Sequence, residues 1–277
     1  MAKPSVIRQI PVYVSKNFRL FMNQGDWKFI AIAAVISFLV CSIVGKDMFS
    51  TYESTKSGFF AIMSAAIWIG VFNSIQRICK EHQTITSEYR SGLHIRAYVL
   101  SHVIFDCLLC LIQSTILILI CTVFIDFPGE GIIFGKSVIE YFITLFLIVW
   151  GSDIMGIMIS SVASTPNTAM TAMPFVLILQ LVMSGVLFEL SGWAEKIAYI
   201  TYSKWGMSAL GSIGNLNNDT LPLKISKAFP NVVRLSTESA YDATAQNLLS
   251  AWGSILLIAF CCMLISGISL KIRNRGS

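Results

Sequence analysis

Charge is the scarcest commodity in this sequence. Of 277 residues only 13% are Asp, Glu, Lys or Arg, while 55% are apolar and 12% aromatic; a soluble domain carries about 25% charged residues. A water-soluble fold of this length solvates its surface with ionised side chains, and 20 basic and 15 acidic residues are too few for that. The composition therefore excludes a disordered chain and a nucleic-acid-binding domain, and makes the bilayer the expected solvent. Histidine is nearly absent: His82, His94 and His102 are the three, and none belongs to an H-E-x-x-H metal motif. The seven cysteines lie in or beside apolar runs, without the paired C-x-x-C motifs of a zinc site or the spacing of a secreted disulfide scaffold. Cys107 and Cys110 form a lone C-x-x-C, to be read as buried packing or as a redox or metal pair. The first 28 residues are too polar for the apolar core of a signal peptide.

What is abundant is long apolar sequence. About 20 apolar residues cross about 30 Å of hydrocarbon, and the pattern predicts six spans, near 27–46, 57–78, 97–125, 138–161, 168–188 and 247–270. Ser164-Thr165-Pro166-Asn167 separates the fourth from the fifth, because the residue before a proline leaves the helical region. The fold class expected is an all-α polytopic membrane protein forming one transmembrane domain over 1–277.

Lysine and arginine accumulate on the cytoplasmic side of membrane proteins. With the N-terminus inside, 12 of the 20 basic residues fall in internal segments, whereas the two short outer loops hold Lys46, Lys56 and Lys136. Both termini are thus expected in the cytoplasm. Residues 1–26 read as an amphipathic interfacial helix: Ile7, Ile10, Val14, Phe18 and Phe21 recur at helical steps, with Arg8, Lys16 and Arg19 elsewhere on the wheel. Pro11 is expected to kink it, and Asp26 to cap the first span. Residues 189–246 divide into an aromatic part, expected to form re-entrant or interfacial helices, and a polar exposed loop from Gly211 to Tyr241. That loop contains a glycosylation triplet at Asn218. Residues 247–277 give the last span and a basic tail.

The stretch from Gly129 to Ser137 imitates a phosphate-binding loop. Its Gly-Lys-Ser follows Gly129 by five residues and Gly131 by three, whereas the motif needs four, so ATP binding is not expected on this chain. Asp106 and Asp153 are the acids well inside spans. They read as an ion or proton site, or as an interhelical hydrogen bond in which His102, four residues before Asp106, takes part. The connection 77–96 is dense in charge. Glu81 and Glu88 stand two turns apart on one face, and Arg77 can pair with Glu81. Such a segment is either a solvated turn or a short helix that docks another protein.

Glu81, then Glu88-Tyr89-Arg90-Ser91-Gly92, then Tyr98 opening the third span, resembles the membrane domain of ABC exporters of the G subfamily, within the type-2 permease superfamily (type V exporters). A second likeness is Met183-Ser184-Gly185-Val186-Leu187-Phe188, followed by Trp193, Tyr199 and the stretch from Ser203 to Leu210. The resemblance covers nearly the whole chain in order. It implies a permease subunit of an ATP-driven exporter, dimeric with a second copy or homologue, in contact with membrane lipid and not nucleic acid. ATP and Mg would be held by a separate ABC nucleotide-binding subunit, since no ATPase site is seen on this chain. By the same resemblance Lys80, Glu81, Glu88, Tyr89 and Arg90 would couple to the ATPase. Ala66, Ile69, Phe72, Asn73, Leu177, Gln180 and Leu181 would line the substrate cavity, and Val186 and Leu187 would form an outer plug. An apolar cavity of this kind suits an amphipathic or hydrophobic substrate: lipid-like, drug-like or a peptide. The competing expectation is an ion-coupled secondary transporter or channel working through Asp106 and Asp153.

Overall fold

The computed structural model describes residues 5–217 and 238–275, and among these the chain forms helices and no strand. α1 (Val6–Gln24) runs through Pro11 and ends at Gly25, whose φ of 75° is the left-handed conformation that stops a helix. The chain then turns by 73° into α2 (Lys28–Val44). Asp26 does not cap α2: Trp27 holds that position, and its side chain makes no capping bond. A 3-10 turn over Lys46–Phe49 leads to α3 (Tyr52–Ser74), capped by Thr51, which accepts from the Ser54 N–H. Two short helices follow, α4 (Arg77–Lys80) and α5 (His82–Arg90), and then α6 (Ile95–Phe124) and α7 (Ser137–Val162). α8 (Pro166–Val182) has proline in its first turn and Thr165 as its cap. α9 (Trp193–Ala198), α10 (Tyr202–Ile213) and α11 (Ala245–Arg275) complete the chain.

Among the described residues four helical stretches are long and apolar enough to cross a membrane: Tyr52–Lys80, α6, α7 and α11. α1 and α2 meet that requirement together, as a bent pair. α2 and α8 have 17 residues each and reach about 26 Å at 1.5 Å per residue, short of the hydrocarbon thickness. The fifth expected span is cut short because the chain leaves the helix at Met183 and turns through Gly185, at φ 75°.

α3 and α7 form the centre of the bundle, and small residues let them approach. A Cβ at Gly70 would stand 2.9 Å from the Asp153 nitrogen and the Ser152 Cβ, and one at Gly156 would strike the Ser74 hydroxyl. Without water to drive apolar surfaces together, close packing of this kind holds membrane helices. Ser74 adds a bond of 2.6 Å to the Asp153 carbonyl. α10 is almost wholly buried between α3, α7 and α11, with the Tyr202 ring against Gly151 and Gly206 under Met63 and Ile148. Trp252 ties α11 to α7 by donating to Thr144 Oγ1 at 2.9 Å. α2, α6 and α11 turn rows of Ile, Leu and Phe outwards.

The two ends of the expected exposed loop are in fact packed. Leu216 and Tyr241 are buried, and Tyr241 covers Gly211. Asn217 joins the ends by accepting from the Glu238 N–H and donating to the Glu238 carbonyl. The Asn218 triplet lies outside the described residues. The apparent phosphate loop does gather an anion, but its own. The N–H groups of Ile132, Ile133 and Phe134 donate to the buried carboxylate of Glu140, at 2.5 to 2.9 Å.

Candidate functional site

The charged connection between α3 and α6 is an ordered corner. α4 and α5 meet at Glu81, whose φ of −91° and ψ of 4° break the helix. α5 ends in a Schellman motif, with the Leu93 N–H bonded to the Glu88 carbonyl (2.9 Å) and that of Gly92 to Tyr89 (3.1 Å). Gly92 adopts φ 109° there, which explains a glycine at this place. Gln9 of α1 clasps the turn, donating to the Gly92 carbonyl at 3.1 Å and accepting from the His94 N–H at 2.9 Å.

Lys16, two turns further along α1, reaches both predicted acids: 2.9 Å to Glu88 Oε1 and 3.7 Å to Glu81 Oε2. The Tyr98 hydroxyl also donates to Glu81. Burial pushes the Glu81 carboxyl up, and Lys16, Tyr98 and Arg77 pull it partly back. Burial, then the Glu88 carboxylate, raises the Tyr13 phenol to about 12. On its other side α5 meets the end of α11, where Thr86 donates to Asn274 Oδ1 at 2.9 Å. Tyr89 packs on the core, while Lys80 and Arg90 are exposed. α5 is thereby fastened to α1, to α6 and to α11.

Arg77 does not pair with Glu81. It turns inwards, donating to Asp106 of α6 and, at 3.0 Å, to the Asn73 carbonyl. The interhelical bond of Asp106 is thus made with Arg77 and not with His102, whose ring nitrogens meet no hydrogen-bond partner among the described residues. A cleft of about 380 Å³ opens between α1, α3, α5 and α6, lined by Phe21, Phe72, Asn73, Arg77, Lys80 and His102 among others.

The expected cavity residues divide. Phe72 and Asn73 line this cleft, and Leu181 is half-buried. Ala66, Ile69, Leu177 and Gln180 are packed inside the chain, each 4% exposed or less. Gln180 is engaged in structure, since its Oε1 accepts from the Ser203 N–H and its amide donates to Met155. Asn73 and Gln113 exchange two amide bonds, of 2.7 and 3.0 Å, between α3 and α6. Ala66, Ile69, Leu177 and Gln180 are thus packing residues in this conformation. Val186 is half-buried and Leu187 exposed, both in the turn after α8.

A family model described as ABC-2 type transporter matches residues 8–215, a stretch that contains the whole of this corner. The chain belongs to that family. It is an integral membrane protein and an ABC transporter permease. It is similar to the ABC transporter ATP-binding/permease protein Rv1747 of Mycobacterium tuberculosis, with 22% identity over 220 residues. The match takes in 75% of this chain and 25% of the relative, so the chain spans about a quarter of that protein's length. The ABC-2 region of this permease thus includes the α1–α5–α6 corner and ends just past α10.

Gln9, Tyr13 and Lys16 are the site residues that the sequence reading passed over. They follow at steps of four and three on one face of α1. The signal was available as a polar stripe opposite Ile7 and Phe18, which are exposed.

Proposed function

We propose that the chain is the transmembrane unit of an ATP-driven exporter, working by alternating access on an amphipathic or hydrophobic substrate: lipid-like, drug-like or a peptide. The observation that carries this reading is α5, a charged helix clamped to α1 by Lys16 and to α11 by Asn274. A force applied to α5 would reach α1 and the last membrane helix together, as a nucleotide-binding subunit docking there requires. ATP and Mg would belong to that subunit. Lys80 and Arg90, exposed beside the clamp, would meet it.

A second copy would lie against the exposed apolar side of α8 and the following turn, where Phe175, Ile178, Leu187 and Phe188 are uncovered. Phe72 and Leu181 would face the substrate path there, with the buried Ala66, Ile69, Asn73, Leu177 and Gln180 supporting it. Val186 and Leu187 would close its far end, with both termini in the cytoplasm of a bacterial inner membrane. In reconstituted vesicles, ATP added on the side of the termini should drive a labelled amphiphile to the opposite side. Leu187→Ala should raise basal ATP hydrolysis or leak. Transport driven by a proton gradient without ATP would replace this reading with the ion-coupled one.

A further inference from the structure

Cys41 of α2 and Cys121 of α6 meet sulfur to sulfur at 2.7 Å, and both side chains are fully buried. Heavy atoms that share no bond pack at about 3.5–4.0 Å, whereas the sulfurs of a disulfide stand about 2.05 Å apart. The thiols are free, and a shift of about 0.7 Å would bring them to bonding distance. The other buried cysteines have different company. Cys79 donates to the Ser160 carbonyl at 2.8 Å, Cys110 accepts from the Asn73 amide, and Cys262 accepts from the Tyr202 hydroxyl. Cys110 is therefore engaged with α3, and the C-x-x-C that it forms with Cys107 is not the pair that the fold brings together.

α2 and α6 run side by side in the same direction. Gln113 donates to the Phe29 carbonyl near the start of α2, and Phe38 meets Phe124 edge to face at 5.4 Å near its end. Cys41 and Cys121 each stand in the last turn of their helix. The next residues after those turns, Gly45 and Ile125, donate their N–H groups to the Cys41 and Cys121 carbonyls at 3.0 and 2.8 Å. Cys121 lies about 39 Å along α6 from Ile95 at 1.5 Å per residue, farther than the about 30 Å of hydrocarbon. The pair and the α4–α5 corner are therefore at opposite sides of the membrane.

We propose that Cys41 and Cys121 are a modification site, the two halves of a disulfide that joins α2 to α6 on the side away from the corner. The proposal rests on the reading that the corner faces the cytoplasm, because disulfides persist in the oxidising compartments outside it. The oxidant is a reactive protein disulfide of that outer compartment. One cysteine loses its proton and attacks this disulfide, giving a mixed disulfide and a first thiol. The second cysteine then displaces the remaining half as a second thiol. One S–S bond breaks and one forms, two electrons pass to the oxidant, and its two sulfurs take up the two protons. Full burial places the exchange before the helices close and shields the bond afterwards. At the corner end Phe21 packs on Phe105 and Gln9 clasps the turn before α6. The bond makes α1, α2 and α6 one limb held at both ends.

Alkylation with mass spectrometry tests this on the full chain. Membranes carrying the wild-type permease are denatured in N-ethylmaleimide without reductant and digested. The peptides of Cys41 and Cys121 should appear joined and two hydrogens lighter than their sum, while the other five of the seven cysteines carry maleimide. Reduction before alkylation should release both, and Cys41→Ser should leave Cys121 fully alkylated without it. Alkylation of all seven in unreduced membranes would overturn the native bond. Diamide, a thiol oxidant, added to the purified permease then locates the fault. A Cys41–Cys121 link formed by diamide would trace the failure to the orientation reading, and free thiols after diamide would trace it to the pairing itself.

Discussion

Lys16 of α1 stands 2.9 Å from the Glu88 carboxylate of α5, across 72 residues of sequence. Both side chains are about 30% exposed, and an ion pair so placed contributes at most about 1 kcal/mol to stability. Its value is positional. Lys16→Ala or Glu88→Ala should leave the amount of inserted protein unchanged while lowering ATP-driven transport several-fold. The exchanged pair Lys16→Glu with Glu88→Lys should recover much of it. Full transport in the single variants would remove α5 from the coupling path.

Glu140 makes a different kind of contact. Its buried carboxylate accepts from three successive N–H groups, and Gly131 passes so close that a Cβ there would meet Oε1 at 2.7 Å. A carboxylate in a nest of N–H groups is stabilised by charge-assisted bonds. Glu140→Ala should therefore cost about 1.5–3 kcal/mol, with faster amide exchange at Ile132–Phe134. Glu140→Gln should cost less, because its one carbonyl oxygen still accepts. Unchanged exchange in Glu140→Ala would show that the loop is held by other contacts.

The break before Pro166 was legible because it is local chemistry, acting within one turn of where the proline stands. Side-chain partners were not, because helical spacing says which face a residue occupies and not which neighbour arrives there. Arg77 has Glu81 four residues on, yet α6 brings Asp106, and a carboxylate inside the bundle has no water to compete for the cation. Asn73 and Gln180 were expected to line the cavity by the resemblance, which matches positions along a helix and not the partners that meet them. Each has a partner forty or twenty-three residues away, Gln113 and Ser203, which no local pattern announces. The Glu81–Glu88 face was visible, and the opposing Gln9–Tyr13–Lys16 stripe was equally regular but was passed over.

His82, at the start of α5, gives a pH test outside the membrane. Burial, then the Arg273 cation, lowers its pKa below the usual 6.5. The unfolded chain therefore binds the proton more readily than the folded one, and stability falls as pH drops through and below 6.5. His82→Gln should flatten that part of the profile of melting temperature against pH. An unchanged acid limb would assign it to other groups.

The reciprocal amides of Asn73 and Gln113 separate a structural from a substrate-binding role. Both side chains are buried, and Gln113 also donates to the Phe29 carbonyl at 3.3 Å. Asn73→Leu strands a buried amide on α6, and Gln113→Leu strands one on α3. Each should cost about 1–3 kcal/mol, the penalty of an unsatisfied polar group. Replacing both removes the need for either bond, so the double variant should be more stable than the sum of the singles predicts, by a coupling of about 0.5–2 kcal/mol. If the pair only holds α3 to α6, the two single variants should change substrate preference little and equally. A selective shift in Asn73→Leu, with additive stabilities, would instead return Asn73 to the substrate path.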